Sequence, residues 1–96
     1  MNKMAIDELG SLYGLSVPEV CALDDAMRVL QAAAAANRAF FIIKFDGERA
    51  TKRFTVIFNA PNLQRGIVRM DGDKMGECID YALMELINLK KSGEIQ

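Results

Sequence analysis

Phe40-Phe41-Ile42-Ile43-Lys44-Phe45, closed by Asp46-Gly47, is the stretch that decides the fold. It is short, aromatic and β-branched, and an Asp-Gly pair follows it, so it reads as a strand entering a turn. Arg53-Phe54-Thr55-Val56-Ile57-Phe58-Asn59 is a second strand, with Phe54, Val56 and Phe58 alternating on one face, and Pro61 and Asn62 end it. Gly66-Ile67-Val68-Arg69-Met70 is a shorter third strand, followed by an Asp71-Gly72 turn. Consecutive strands with short connections predict a three-stranded antiparallel meander.

Helical patterns flank this block. Leu9, Leu12 and Tyr13 fit one helical face over residues 4–13, with Gly14 as the stop. Ser16 is a good N-cap, Pro18 suits a first turn, and Glu19 favours the positive helix end. From there Val20, Leu23, Met27, Leu30 and Ala34 recur at helical spacing, and Asn37 is a plausible stop. After the strands, Asp73 can cap a last helix whose stripe is Met75, Ile79, Ala82, Leu83 and Leu86, with Gly93 as its stop and residues 94–96 fraying. The expected fold class is α+β in the order α-α-β-β-β-α, with the helices packed on one face of the sheet.

A chain of 96 residues with 51% apolar and 26% charged side chains can bury a core without staples, so a single domain over 1–96 is expected. Collagen-like and wholly disordered readings are excluded. Two cysteines, Cys21 and Cys78, are too few for a secreted disulfide scaffold and read as reduced thiols packed in helices. The N-terminus lacks the apolar core of a signal peptide, and no apolar run approaches the ~20 residues of a membrane span. A cytoplasmic protein without membrane contact is the expectation.

The absence of histidine removes more chemistry than any other count. It excludes Ser-His-Asp and Cys-His catalysis and any imidazole acid or base. Glu19, Asp24 and Asp25 lie near Cys21, and Glu77 and Asp80 near Cys78, whereas a reactive thiolate needs positive surroundings. Two isolated cysteines make no zinc site. Asp71-Gly72-Asp73 lacks the alternating ligands of a calcium loop, and Asp24 and Asp25 point in different directions on a helix. No Gly-rich phosphate loop is present. The expectation is therefore a non-enzyme with no cofactor and no metal.

Charge is segregated along the chain. Residues 1–37 hold two basic side chains against five acidic ones, and residues 75–96 hold two against four. Residues 38–74 hold eight basic side chains (Arg38, Lys44, Arg49, Lys52, Arg53, Arg65, Arg69 and Lys74) against four acidic ones, together with all five phenylalanines. Strand alternation sharpens this. With Phe41, Ile43 and Phe45 inward, Phe40, Ile42 and Lys44 face out. With Phe54, Val56 and Phe58 inward, Arg53, Thr55, Ile57 and Asn59 face out. Val68 and Met70 then point in, and Ile67 and Arg69 out. The outer face becomes an apolar patch with a basic rim, which is an interface signature.

Two partial likenesses follow from these residues. Ile6 to Val20, with Gly10, Gly14, Ser16 and Val20, resembles the first two helices of a helix-turn-helix DNA-binding motif. Its reading helix would start near Ser16 and present Glu19, Asp24 and Asp25, an acidic surface opposed to phosphate. The order α-β-β-β-α over residues 17–91 resembles the double-stranded-RNA-binding domain, whose last helix opens on a lysine cluster where this chain has Asp71-Gly72-Asp73-Lys74.

The functional expectation is a small protein-binding module that occludes a partner, as inhibitors, toxin-immunity proteins and anti-defence proteins do. Phe40, Lys44, Arg49, Lys52, Arg53, Ile57 and Arg69 are its candidate partner-binding residues, and a protein with an acidic surface is the expected partner. The alternative is nucleic-acid or nucleotide binding, with Phe40 stacking and the basic residues meeting phosphate. A homodimer is compatible with either.

Overall fold

The computed structural model describes residues 1–61, 63–64 and 66–96. Asn62, expected to help end the second strand, and Arg65, one of the eight basic residues, lie outside the described residues. The order is α1 (Lys3–Leu12), α2 (Leu23–Asn37), β1 (Phe40–Phe45), β2 (Phe54–Asn59), β3 (Val68–Gly72) and α3 (Met75–Ser92). The strands form one antiparallel sheet in the order β1-β2-β3. The α+β meander read from the sequence is the fold.

The sheet's two faces follow from the two-residue period of the strands. Phe41 pairs with Phe58 and Ile43 with Val56, while Val56 pairs with Met70 and Phe58 with Val68. This row of side chains faces the helices, and Val56, Phe58 and Val68 are fully buried. The helix α3 lies over β2 and β3, and α2 over β1. Cys78, Ile79, Ala82, Leu83 and Leu86 form the buried stripe of α3, and each large side chain moved out of water there contributes about 1.5–3 kcal/mol. The N-terminal helix stacks on α3 and α2 through Ala5, Ile6, Leu9 and Gly10. A Cβ at Gly10 would stand 3.2 Å from the Val29 side chain, so glycine lets these two helices approach.

Polar ties fix the layers. Asn2 caps α1 by accepting a hydrogen bond from the Ala5 amide, and its own amide donates to Asp80 on α3 at 2.6 Å. Lys91 on α3 pairs with Glu8 on α1 at 2.7 Å. The first helix closes as read, with Gly14 in the left-handed region that suits glycine.

Four local expectations are corrected. The second helix begins at Leu23, not near Ser16, and Val20 is 86% exposed outside it. The reason is a competing N-terminus. Asp24 and Asp25 lie in the first turn, and the Asp25 carboxylate accepts the Ala22 amide at 2.8 Å. Arg28 donates to the Ser16 carbonyl at 2.6 Å, which ties the preceding segment down in a non-helical path. The buried stripe is Ala26, Val29, Leu30 and Ala33; Leu30 lies at its expected position, and Met27 and Ala34 lie partly buried at the edge of the stripe. The helix-turn-helix likeness ends here, because residues 15–22 carry no helix to read DNA. Cys21 therefore lies outside any helix, where its thiol donates to the Pro18 carbonyl.

The third strand is shifted toward its C-terminal end. Gly66 has a positive φ and lies outside it, whereas Asp71 and Gly72 pair with Thr55 and Phe54. Asp71-Gly72 is thus strand, not turn. The N-cap of α3 is Lys74, and Asp73 instead accepts the Lys52 amide at 2.7 Å. Finally, residues 94–96 do not fray. Ile95 is buried, the Gln96 amide donates to Asn37 at 2.7 Å, and Tyr13 and Asn37 both donate to the Gln96 carbonyl.

Both thiols are free, and Cys78 is a packing residue whose thiol pKa is pushed up by burial. A Cβ on Gly72 would come within 2.8 Å of its sulfur. Gly72→Ala should therefore cost about 1–3 kcal/mol by overpacking. Adding Cys78→Ala should restore part of that loss, so urea unfolding of the two single variants and the double variant should show non-additivity. Strict additivity would contradict the contact.

Candidate functional face of the sheet

The face turned away from the helices is organised in rows set by the register. Ile42 pairs with Ile57 and Ile57 with Arg69, forming a middle row. Lys44, Thr55 and Asp71 form the row next to the β1–β2 loop. Phe40 pairs with Asn59 at the far end, where Ile67 precedes β3. Phe40 is 51% exposed, Ile42 42% and Ile67 40%, while Ile57 is half-buried. Outward placement of Phe40, Ile42, Lys44, Thr55, Ile57 and Arg69 agrees with the alternation argument.

The basic rim differs from a free cationic surface, because Asp71 stands within it. Arg69 donates to Asp71 through Nε at 3.0 Å and through Nη2 at 3.3 Å. Arg49 reaches the same carboxylate from the loop at 3.1 Å, and the Thr55 hydroxyl donates to it. The Arg69 guanidinium, followed by the Thr55 hydroxyl and Arg49, holds the Asp71 carboxyl well below the usual carboxylate range. Thr55 is the buried polar residue of the described chain, and this cluster satisfies its hydroxyl.

Arg49 also organises the β1–β2 loop. Its Nη1 donates to the Lys52 carbonyl at 3.2 Å, and its Nε lies 3.5 Å from the Asp46 carboxylate. Asp46 accepts the Glu48 amide at 3.0 Å and lies 3.9 Å from the Lys44 ammonium. Arg53 precedes β2 instead of lying within it, and its Nε donates to the Arg49 carbonyl. Lys52 adopts a left-handed backbone with φ of 50°.

The seven candidate residues therefore separate into three groups. Phe40 and Ile57 belong to the apolar patch. Lys44, Arg49 and Arg69 are paired with Asp46 and Asp71. Lys52 and Arg53 stand at the loop end and make no ion pair among the described residues. The sequence reading missed Asp71. Its signal was parity, since Asp71 shares the outward register of Arg69 once β3 continues two residues past Met70. Asp71 and Asp73 are engaged by Arg69, Arg49, Thr55 and the Lys52 amide, which accounts for that acidic pair without a bound cation.

Asp71→Asn should lower stability at neutral pH by about 1–2 kcal/mol, since it weakens several charge-assisted hydrogen bonds. The folded-state pKa is depressed, so the contribution is present above the unfolded value and is lost as pH falls through the folded value. The gap between wild type and Asp71→Asn should close only in strong acid, measured by denaturant unfolding across pH. A gap unchanged from neutral to strongly acidic pH would contradict this assignment. Compared with protein-family models, curated proteins and solved structures, the chain has no match to any of them.

Proposed function

We propose that this chain is a non-enzymatic protein-binding module that docks the outer face of its sheet on a partner and acts by occlusion, as inhibitor, immunity and anti-defence proteins do. The observation that carries this reading is the exposed patch of Phe40, Ile42 and Ile67 around Ile57, beside a charge cluster tied together through Asp71. A few buried anchors, aromatic ones above all, supply most of the energy at protein interfaces, and a fixed charged rim supplies orientation. Arg69 and Arg49 share the Asp71 carboxylate, which weakens the face as a phosphate tract. This balance favours a protein over a nucleic acid. Lys52 and Arg53 suit acidic groups flanking an apolar partner surface.

A specific observation keeps the nucleic-acid reading second. Lys52 and Arg53 make no ion pair among the described residues, and they lie together beside the β1–β2 loop. Binding through them would be steeply salt-dependent.

The test compares wild type with Phe40→Asp and Ile67→Asp in affinity capture from the native lysate, alongside anisotropy titrations of labelled single-stranded and duplex oligonucleotides. The expected result is saturable capture of a protein, weakened at least about tenfold by either substitution, as for interface anchors. Oligonucleotide binding that falls steeply with salt and is lost in Lys52→Glu/Arg53→Glu would overturn the proposal. So would the absence of any saturable protein capture.

A further inference from the structure

The strand β1 is an edge of the sheet, and its free side has features that fit a second copy of this chain. The Asp46 amide donates to the Arg53 carbonyl at 2.8 Å, which fixes the phase of the β1–β2 ladder. Alternation then directs the peptide groups of Phe40, Ile42 and Lys44 toward β2 and those of Phe41, Ile43 and Phe45 away from it. Among the described residues no hydrogen bond engages the amides of Phe41, Ile43 and Phe45. The strand is six residues long and has no proline, no glycine and one charge. Natural edges are usually blunted by such breaks or by several charges, and here Lys44 is the one such device within the strand.

We propose that β1 pairs antiparallel with β1 of a second copy, extending the sheet across a two-fold axis. Continuity of the faces requires that each residue oppose one of the same parity. Centred on Ile43, the pairing sets Phe41 opposite Phe45 and Ile43 opposite itself; centred on Ile42, it sets Phe41 opposite Ile43 and leaves Phe45 opposite Ala39, just outside the strand. Centring on Ile43 brings the two Lys44 ammonium groups to diagonal positions on one face, where like charges repel. Centring on Ile42 separates them and sets each Lys44 opposite the other copy's Phe40, a cation beside an exposed aromatic ring. The Ile42 register is therefore the one assigned. It places Ile42 against its own symmetry mate and Phe41 against Ile43.

A second feature lies along the same edge. Met27, Gln31, Ala34, Phe41 and Ile43 line an open groove of about 440 Å³ between α2 and β1. In the assigned register the other copy's Phe41 and Ile43 approach this groove from the side. Phe45, 58% exposed although it has helix-side parity, would also gain cover. The paired edges would satisfy the free peptide groups of Phe41 and Ile43, whereas Phe45 lies opposite Ala39, whose amide already donates to the Ala34 carbonyl, and the groove would add apolar burial.

The test uses the full chain, with sedimentation equilibrium giving its mass and amide hydrogen exchange followed by NMR over a concentration series. The expected result is a reversible dimer in which exchange of the Phe41 and Ile43 amides slows by about tenfold or more as dimer forms. Ile42→Lys, a change at an exposed side chain, should shift the mass to one chain while leaving the circular dichroism spectrum and thermal transition in place. A chain that stays monomeric throughout would overturn the proposal. So would a dimer whose Phe41 and Ile43 amides remain unprotected, since that dimer would be joined elsewhere.

Discussion

The two-residue period of β2 is the constraint on which the rest depends. It is the central strand, paired on both sides, and its side chains must divide between the helix side and the outer face. Val56 and Phe58 take the helix side and are fully buried. Thr55 and Ile57 must then take the other. A shift of one residue would exchange the two sets and place a threonine hydroxyl under α3. Burying that hydroxyl without a partner would cost about 1–3 kcal/mol, so the period is enforced from both faces.

Fixing β2 also fixes what its neighbours present. The pairing of Ile42 with Ile57 and of Ile57 with Arg69 draws apolar side chains into one region of the outer face. The pairing of Thr55 with Asp71 places a carboxylate where two guanidinium groups can reach it. One half of the face is therefore a closed polar cluster, and the other is exposed hydrocarbon. The β1–β2 loop is tied to this cluster through Arg49, which links Asp46, the Lys52 carbonyl and Asp71. Three of the eight basic side chains of residues 38–74, Lys44, Arg49 and Arg69, are thus engaged by carboxylates of the protein itself. The cations at the loop end, Lys52 and Arg53, make no ion pair among the described residues.

The strands were legible because β1 and β2 are aromatic and β-branched, bounded by turn residues and too short for a helix, and their faces followed from the two-residue period of the backbone. The last helix was legible because Ile79, Ala82, Leu83 and Leu86 keep one face throughout. The start of α2 was not, because Ser16-Pro18 and Asp24-Asp25 are both good helix openings. Local preference could not choose between them, and the tie from Arg28 to the Ser16 carbonyl is made only in the folded chain. Asp71 was misread for a similar reason. Asp-Gly is a strong turn signal, but here pairing with Thr55 and Phe54 holds it extended, and Gly72 fits where a Cβ would strike Cys78. The docking of Ile95 and Gln96 depends on Tyr13 and Asn37, which are distant in sequence and gave no local signal.

The central claim is the assignment of β2's faces, and it is tested most directly by comparing the thermal unfolding of Val56→Glu and Ile57→Glu. Ile57→Glu sets a carboxylate beside Arg69 on the outer face, and it should keep a cooperative transition close to that of wild type. Val56→Glu buries an unpaired carboxylate under the helices and should abolish that transition. Equal tolerance of the two substitutions, or greater damage from Ile57→Glu, would contradict the account.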